Sequence, residues 1–146
     1  MRNIADNKQK TGVNMMNDFL YSELTYKVRG AIFEVWKKLG PAFKESVYQK
    51  ALKIEFTNRG IPFESQKQIN IIYEEEKIGI YKPDFVINNQ ILLELKVLPR
   101  ITMLEEKQIW YYLKGTNYKL ALLVNFGSSK LQIKRWIYDK ARKNNK

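Results

Sequence analysis

Lys82-Pro83-Asp84-Phe85-Val86-Ile87-Asn88-Asn89-Gln90-Ile91-Leu92-Leu93-Glu94-Leu95-Lys96 lies past the middle of the chain. It holds two short apolar runs around an Asn-rich turn, the pattern of a β-hairpin. Its charges are unusually placed: Asp84 opens the first run, while Glu94 and Lys96 interrupt the second. Alternation puts Ile91, Leu93, Leu95 and Val97 on one face of the second strand, and Leu92, Glu94 and Lys96 on the other. A two-residue turn at Asn88-Asn89 would set Asp84 opposite Leu93 and mismatch the faces. A connection running from Asn88 to Gln90 instead sets Phe85 opposite Leu93, Val86 opposite Leu92 and Asp84 opposite Glu94. A slip of one residue would cost the whole apolar face, so the longer turn is expected. Two carboxylates opposed across strands repel unless a cation lies between them. Hard oxygen donors of this kind suit Mg²⁺ or Mn²⁺, which take one or two carboxylates and leave other positions to water and phosphate.

Upstream, Leu24, Val28, Ala31, Ile32, Val35 and Leu39 recur at spacings of three and four, predicting a helix from about Ser22 that stops at Gly40-Pro41. A second helix is expected from about Lys44 to Arg59, with Val47, Ala51, Leu52 and Phe56 inward and Gly60 as its stop. Glu45 falls in its first turn, where the helix dipole favours a carboxylate. Tyr48, one turn on, reads by itself as a core-edge residue. Gln66 to Tyr73 reads as a strand with Ile69 and Ile71 on one face. Glu74 to Lys77 reads as a solvated turn, and Ile78 to Tyr81 as a strand running into Pro83. Beyond the hairpin, Thr102 is a plausible N-cap for a helix reaching Lys114. Tyr118 to Phe126 has the near-continuous apolar character of a strand buried on both faces. Leu131 to Tyr138 alternates, as a more exposed last strand does.

Pro83-Asp84, nine residues, then Glu94-Leu95-Lys96 resembles the signature of the PD-(D/E)XK nuclease superfamily. A second stretch, Leu39-Gly40-Pro41-Ala42-Phe43-Lys44-Glu45-Ser46-Val47-Tyr48, is similar to the hallmark of the GxxExxY protein family, a branch of that superfamily. That family reads Leu-Gly-Pro-Gly, two residues, then Glu-Ser-Val-Tyr. Ala42 stands where its glycine belongs, and alanine would be strained there if the position takes a positive φ. Gln108-Ile109-Trp110-Tyr111-Tyr112-Leu113 resembles the family's glutamine-containing helix. The resemblance covers roughly residues 22–138. It implies a restriction-endonuclease-like α/β core, a central mixed β-sheet of about five strands flanked by helices, in the order αβββαβ.

The resemblance also implies a chemistry. Asp84 and Glu94 would bind Mg²⁺ or Mn²⁺, Glu45 would bind metal or water from the helix side, and Lys96 would orient the attacking water and offset charge on the pentacovalent phosphate. Gln108, Tyr48 and Tyr112 fall on the substrate side: Gln108 as a hydrogen-bond partner of phosphate or water, and Tyr112 as a stacking surface for bases or a packing residue on the sheet. The expected activity is metal-dependent hydrolysis of phosphodiester bonds, with DNA the favoured nucleic acid. A non-catalytic nucleic-acid- or protein-binding module on the same fold is the competing expectation.

Composition narrows the alternatives. The 146 residues contain no cysteine and no histidine, which excludes disulfides, thiol nucleophiles, His-dependent triads and ordinary zinc sites. The net charge of +11 is uneven. Residues 1–60 carry 11 basic and 6 acidic groups, residues 61–97 carry 4 and 6, and residues 98–146 carry 11 and 3. The acids of the hairpin thus lie in the one acidic part of a basic protein, which suits a polyanion held by cationic flanks. No apolar run reaches the roughly 20 residues of a membrane span, and the polar N-terminus is unlike a signal peptide, so a cytoplasmic location is expected. The chain divides into a flexible arm over 1–19, one nuclease-like domain over 20–139 and a basic tail over 140–146, with a homodimer as one expected assembly.

Overall fold

A computed structural model describes residues 20–139. The expected arm and tail lie outside the described residues. Helix α1 spans Ser22–Leu39 and α2 Glu45–Asn58, followed by strands β1 (Phe63–Ser65), β2 (Ile69–Tyr73), β3 (Glu76–Tyr81), β4 (Phe85–Ile87) and β5 (Ile91–Lys96). Helix α3 (Met103–Lys114) then leads to β6 (Leu120–Asn125) and β7 (Gln132–Ile137). Five strands form one mixed sheet in the order β1-β4-β5-β6-β7, parallel only between β5 and β6. Strands β2 and β3 pair with each other in a separate two-stranded ribbon.

The hairpin takes the longer turn. Phe85 pairs with Leu93, Val86 with Leu92 and Ile87 with Ile91. Asn88 and Asn89 both adopt left-handed backbone (φ 49° and 54°), and the Gln90 N–H donates to the Ile87 carbonyl at 2.9 Å. Asparagine tolerates that conformation better than other residues with a Cβ. The register therefore follows from turn chemistry as well as from the matched apolar faces.

Two cores lie on the two sides of the sheet. Helices α1 and α2 cover one face, where Val28, Ile32, Leu52 and Phe56 meet Phe85, Ile87, Leu93, Leu95, Leu122 and Val124. Helix α3 and the ribbon cover the other, where Ile109, Leu113 and Tyr81 meet Val86, Leu92, Ala121 and Leu123. Strand β6 is buried along its whole length, as its apolar run predicted, because helices lie over both its faces. Thr102 caps α3 in a full capping box with Glu105, which satisfies N–H groups the first turn would leave open.

Three expectations change. The first edge strand is Phe63–Ser65, upstream of the strand read from Gln66; three residues are too few to show a period. Gln66, at φ 58°, ends it and separates it from β2. The strand read as running from Ile78 into Pro83 belongs to the ribbon, and the sheet resumes only after the Lys82-Pro83-Asp84 break. Tyr48, not Val47, is the first fully buried residue of α2. With the ribbon set aside as an insertion, the remaining order is three sheet strands, a helix and two more strands.

Candidate active site

Asp84 sits one residue before β4 and thus opposite Glu94 in the observed register. The two acids interlock. The Asp84 N–H donates to Glu94 Oε1 at 2.9 Å, and the Leu95 N–H donates to Asp84 Oδ2 at 2.7 Å. Each carboxylate is fixed by the other strand's main chain, which leaves each a second oxygen. Val86 and Leu92 belong to the α3-side core, so alternation sets Asp84, Glu94 and Lys96 on that same face. All three are half-buried.

Burial sets the electrostatics. It is the largest influence on Glu94 and, with the nearby Asp84 carboxylate, pushes its pKa up to about 8, against the pull of the Asp84 N–H and the Lys96 ammonium. Asp84 is also raised by burial, and is pulled back by the Leu95 N–H, Lys96 and the Gln66 side chain. Such shifts mark a place where a proton or a cation is wanted. Two hard carboxylates beside one ammonium, with no nitrogen or sulfur donor, fit Mg²⁺ or Mn²⁺ better than softer metals.

Glu45 reaches the same place from the opposite layer. A chain of contacts carries it there. The Phe126 N–H donates to the Lys96 carbonyl (2.9 Å), and the Ala42 N–H donates to the Phe126 carbonyl (3.0 Å), stitching the loop before α2 to the end of β5. Ala42 has φ 69°, the left-handed value that the family's glycine would accommodate. Residue 45 is exposed overall, yet partial burial of its carboxyl and the Asp84 charge raise its pKa while Lys96 lowers it. Even so, among the described residues no three acids gather into a group that could hold a metal. Glu45 comes from a helix on the other side of the sheet, yet its charge acts on Glu94 as Asp84 and Lys96 act on it.

The expected substrate-side residues separate. Tyr48 is fully buried; its hydroxyl donates to the Gly40 carbonyl (2.5 Å) and accepts from the Phe43 N–H (3.2 Å), and its ring stacks on Phe126 at 4.1 Å. It shapes the loop that carries Glu45 and has no surface to offer a substrate. Tyr112 is half-buried with its ring stacked on Tyr81 (3.9 Å, 8°), which takes the packing alternative. Gln108, four residues earlier on α3, is exposed.

Sequence reasoning missed four residues around the pair. Gln66 donates its N–H to the Asp84 carbonyl (3.3 Å), and its side chain acts on the Asp84 carboxyl. Asn125, fully buried, accepts from Leu98 N–H (2.8 Å) and Gly127 N–H (2.9 Å) and donates to the Leu98 carbonyl (2.9 Å) and Gln132 Oε1 (2.9 Å), fixing the chain just after Lys96. Gly127 packs so closely on the Leu98 backbone that a Cβ would collide with it. Tyr81 is almost wholly buried beside Glu94, and its hydroxyl has no hydrogen-bond partner. None of these carries a short-range signal; each matters through a contact distant in sequence.

The model of the PD-(D/E)XK nuclease superfamily matches residues 22–136, most of the chain. The chain belongs to the PD-(D/E)XK nuclease superfamily. Its mixed five-stranded sheet with flanking helices is the restriction-endonuclease-like architecture, and the matched span includes Pro83-Asp84 and Glu94-Leu95-Lys96. No curated protein and no solved structure matches the chain. Among the described residues, no helix of this nuclease-superfamily member is long and apolar enough to cross a membrane.

Proposed function

We propose that this protein is a metal-dependent deoxyribonuclease of the GxxExxY branch, hydrolysing phosphodiester bonds with Mg²⁺ or Mn²⁺. The observation that carries the reading is the reciprocal hold of Asp84 and Glu94 on the face that also bears Lys96. Asp84 and Glu94 would hold the cation, which when bound supplies Lewis-acid activation of phosphate and water. Lys96 places an ammonium where negative charge grows on the phosphate and orients the attacking water. Glu45, poised on the first turn of α2, accepts a hydrogen bond from that water. Gln108 is free at the surface of α3 to bind a neighbouring phosphate. The basic segments on either side of the acidic one attract the rest of the strand.

The test is a panel of duplex, single-stranded and branched DNA and of RNA, with Mn²⁺, Mg²⁺ or EDTA, beside Asp84→Ala and Lys96→Ala. DNA cleavage is expected with either metal, abolished by EDTA and reduced at least about 100-fold in each variant. Equal cleavage by wild type and Asp84→Ala would sink the proposal. Salt-sensitive binding without cleavage under any metal would replace it with the binding module.

A further inference from the structure

Beside the carboxylate pair lies a donor that the proposed mechanism leaves idle. Tyr81 ends β3, is 4 % exposed, and keeps its hydroxyl buried without a hydrogen-bond partner. A buried polar group without a partner is costly, and native proteins retain few of them. Of the charges around it the Glu94 carboxylate acts most strongly, partly through a hydrogen-bonding approach too loose to satisfy the hydroxyl, and Asp84 is next. The ring is held from behind by its stack on Tyr112, which belongs to α3. Glu94 has committed Oε1 to the Asp84 N–H, so its orientation is fixed from one side only.

We propose that Tyr81 is a positioning residue whose hydroxyl donates to the Glu94 carboxylate when a divalent cation occupies the site, holding Glu94 in its ligating orientation. The inference rests on the metal-binding reading of Asp84 and Glu94. It gives the idle donor a partner in the loaded state, at the expense of an unsatisfied hydroxyl in the empty one. Metal ligands are characteristically oriented in this way by a second hydrogen-bonded group, and losing that group weakens binding about 10-fold or more. It also gives the Tyr81–Tyr112 stack a purpose: α3 and the ribbon clamp the donor in place. Because the ring stays behind when only oxygen is removed, Tyr81→Phe tests the hydroxyl without disturbing the stack.

The experiment measures Mn²⁺ binding by calorimetry and metal-free melting temperature for wild type, Tyr81→Phe and Tyr112→Phe. The Tyr81→Phe protein is expected to bind Mn²⁺ about 10-fold more weakly, yet to melt no lower than wild type without metal, since an unsatisfied group has been removed. Tyr112→Phe keeps its ring and is expected to bind Mn²⁺ as wild type does. A merely structural hydroxyl would instead lower the melting temperature. Unchanged Mn²⁺ affinity in Tyr81→Phe overturns the assignment while leaving the metal site standing. Failure of the wild type itself to bind Mn²⁺ overturns the metal-binding reading and this inference with it.

Discussion

Glu94 is the carboxylate whose pKa burial displaces most. Its pKa rises from the ordinary 4.5 to about 8, first through burial and then through Asp84. In metal-free protein the native state therefore keeps a proton that the unfolded chain gives up. Between pH 4.5 and about 8 the native state binds more protons, so stability falls as pH rises through that window. Glu94→Gln removes the titration. At pH 8 in EDTA the variant should melt several degrees above wild type, while near pH 4 the two should converge; equal melting at both pH values would contradict the burial argument. On the proposed reading a divalent cation would compete with the same proton, so its stabilising effect should grow as pH rises. Of this, the opposition of Asp84 and Glu94 was legible in the hairpin's alternation and turn length. The partners Gln66 and Tyr81 were not, because neither lies on the hairpin that set the register.

At the scale of elements, the loop from Gly40 to Lys44 links the two layers. Tyr48 and Phe126 stack beneath it, and Ala42 hangs from the Phe126 carbonyl in a left-handed conformation. An L-residue pays about 1–2 kcal/mol there, against an entropic cost of about 0.5–1 kcal/mol for a glycine. Ala42→Gly should therefore stabilise the protein by up to about 1 kcal/mol, read as a higher urea midpoint at unchanged slope. A lower midpoint would mean that the residue relaxes in solution to an unstrained shape. The helices, their stops and the cap at Thr102 were all readable from periodicity and local chemistry. The ribbon was not: β2 and β3 have the apolar content of sheet strands, and only their pairing with each other places them outside the sheet.

For the whole molecule the relevant quantity is charge. A net +11, concentrated on either side of an acidic centre, should make duplex DNA binding strongly salt-dependent. Measured with Ca²⁺ in place of Mg²⁺ to suppress cleavage, affinity should fall roughly 100-fold between about 50 and 200 mM NaCl, the loss expected for about four phosphate contacts. Binding indifferent to salt would mean that phosphate contacts do not hold the DNA. Exposed ion pairs such as Lys27–Glu23 and Lys38–Glu34 contribute little to stability, and the fold rests instead on the two apolar cores.

By itself the sequence determined what depends on neighbours along the chain: helix faces, stops and caps, the hairpin register, and hence the meeting of residues 84 and 94. Repeating chemistry at short range specifies those features without knowledge of the fold. Tertiary structure decided which layer each element joins, and so which side chains surround the pair. It drew Glu45 around the end of the sheet, buried Tyr48 away from any substrate, and set Tyr81 against Glu94. Such encounters depend on close packing between elements far apart in sequence, and no pattern within one segment encodes them.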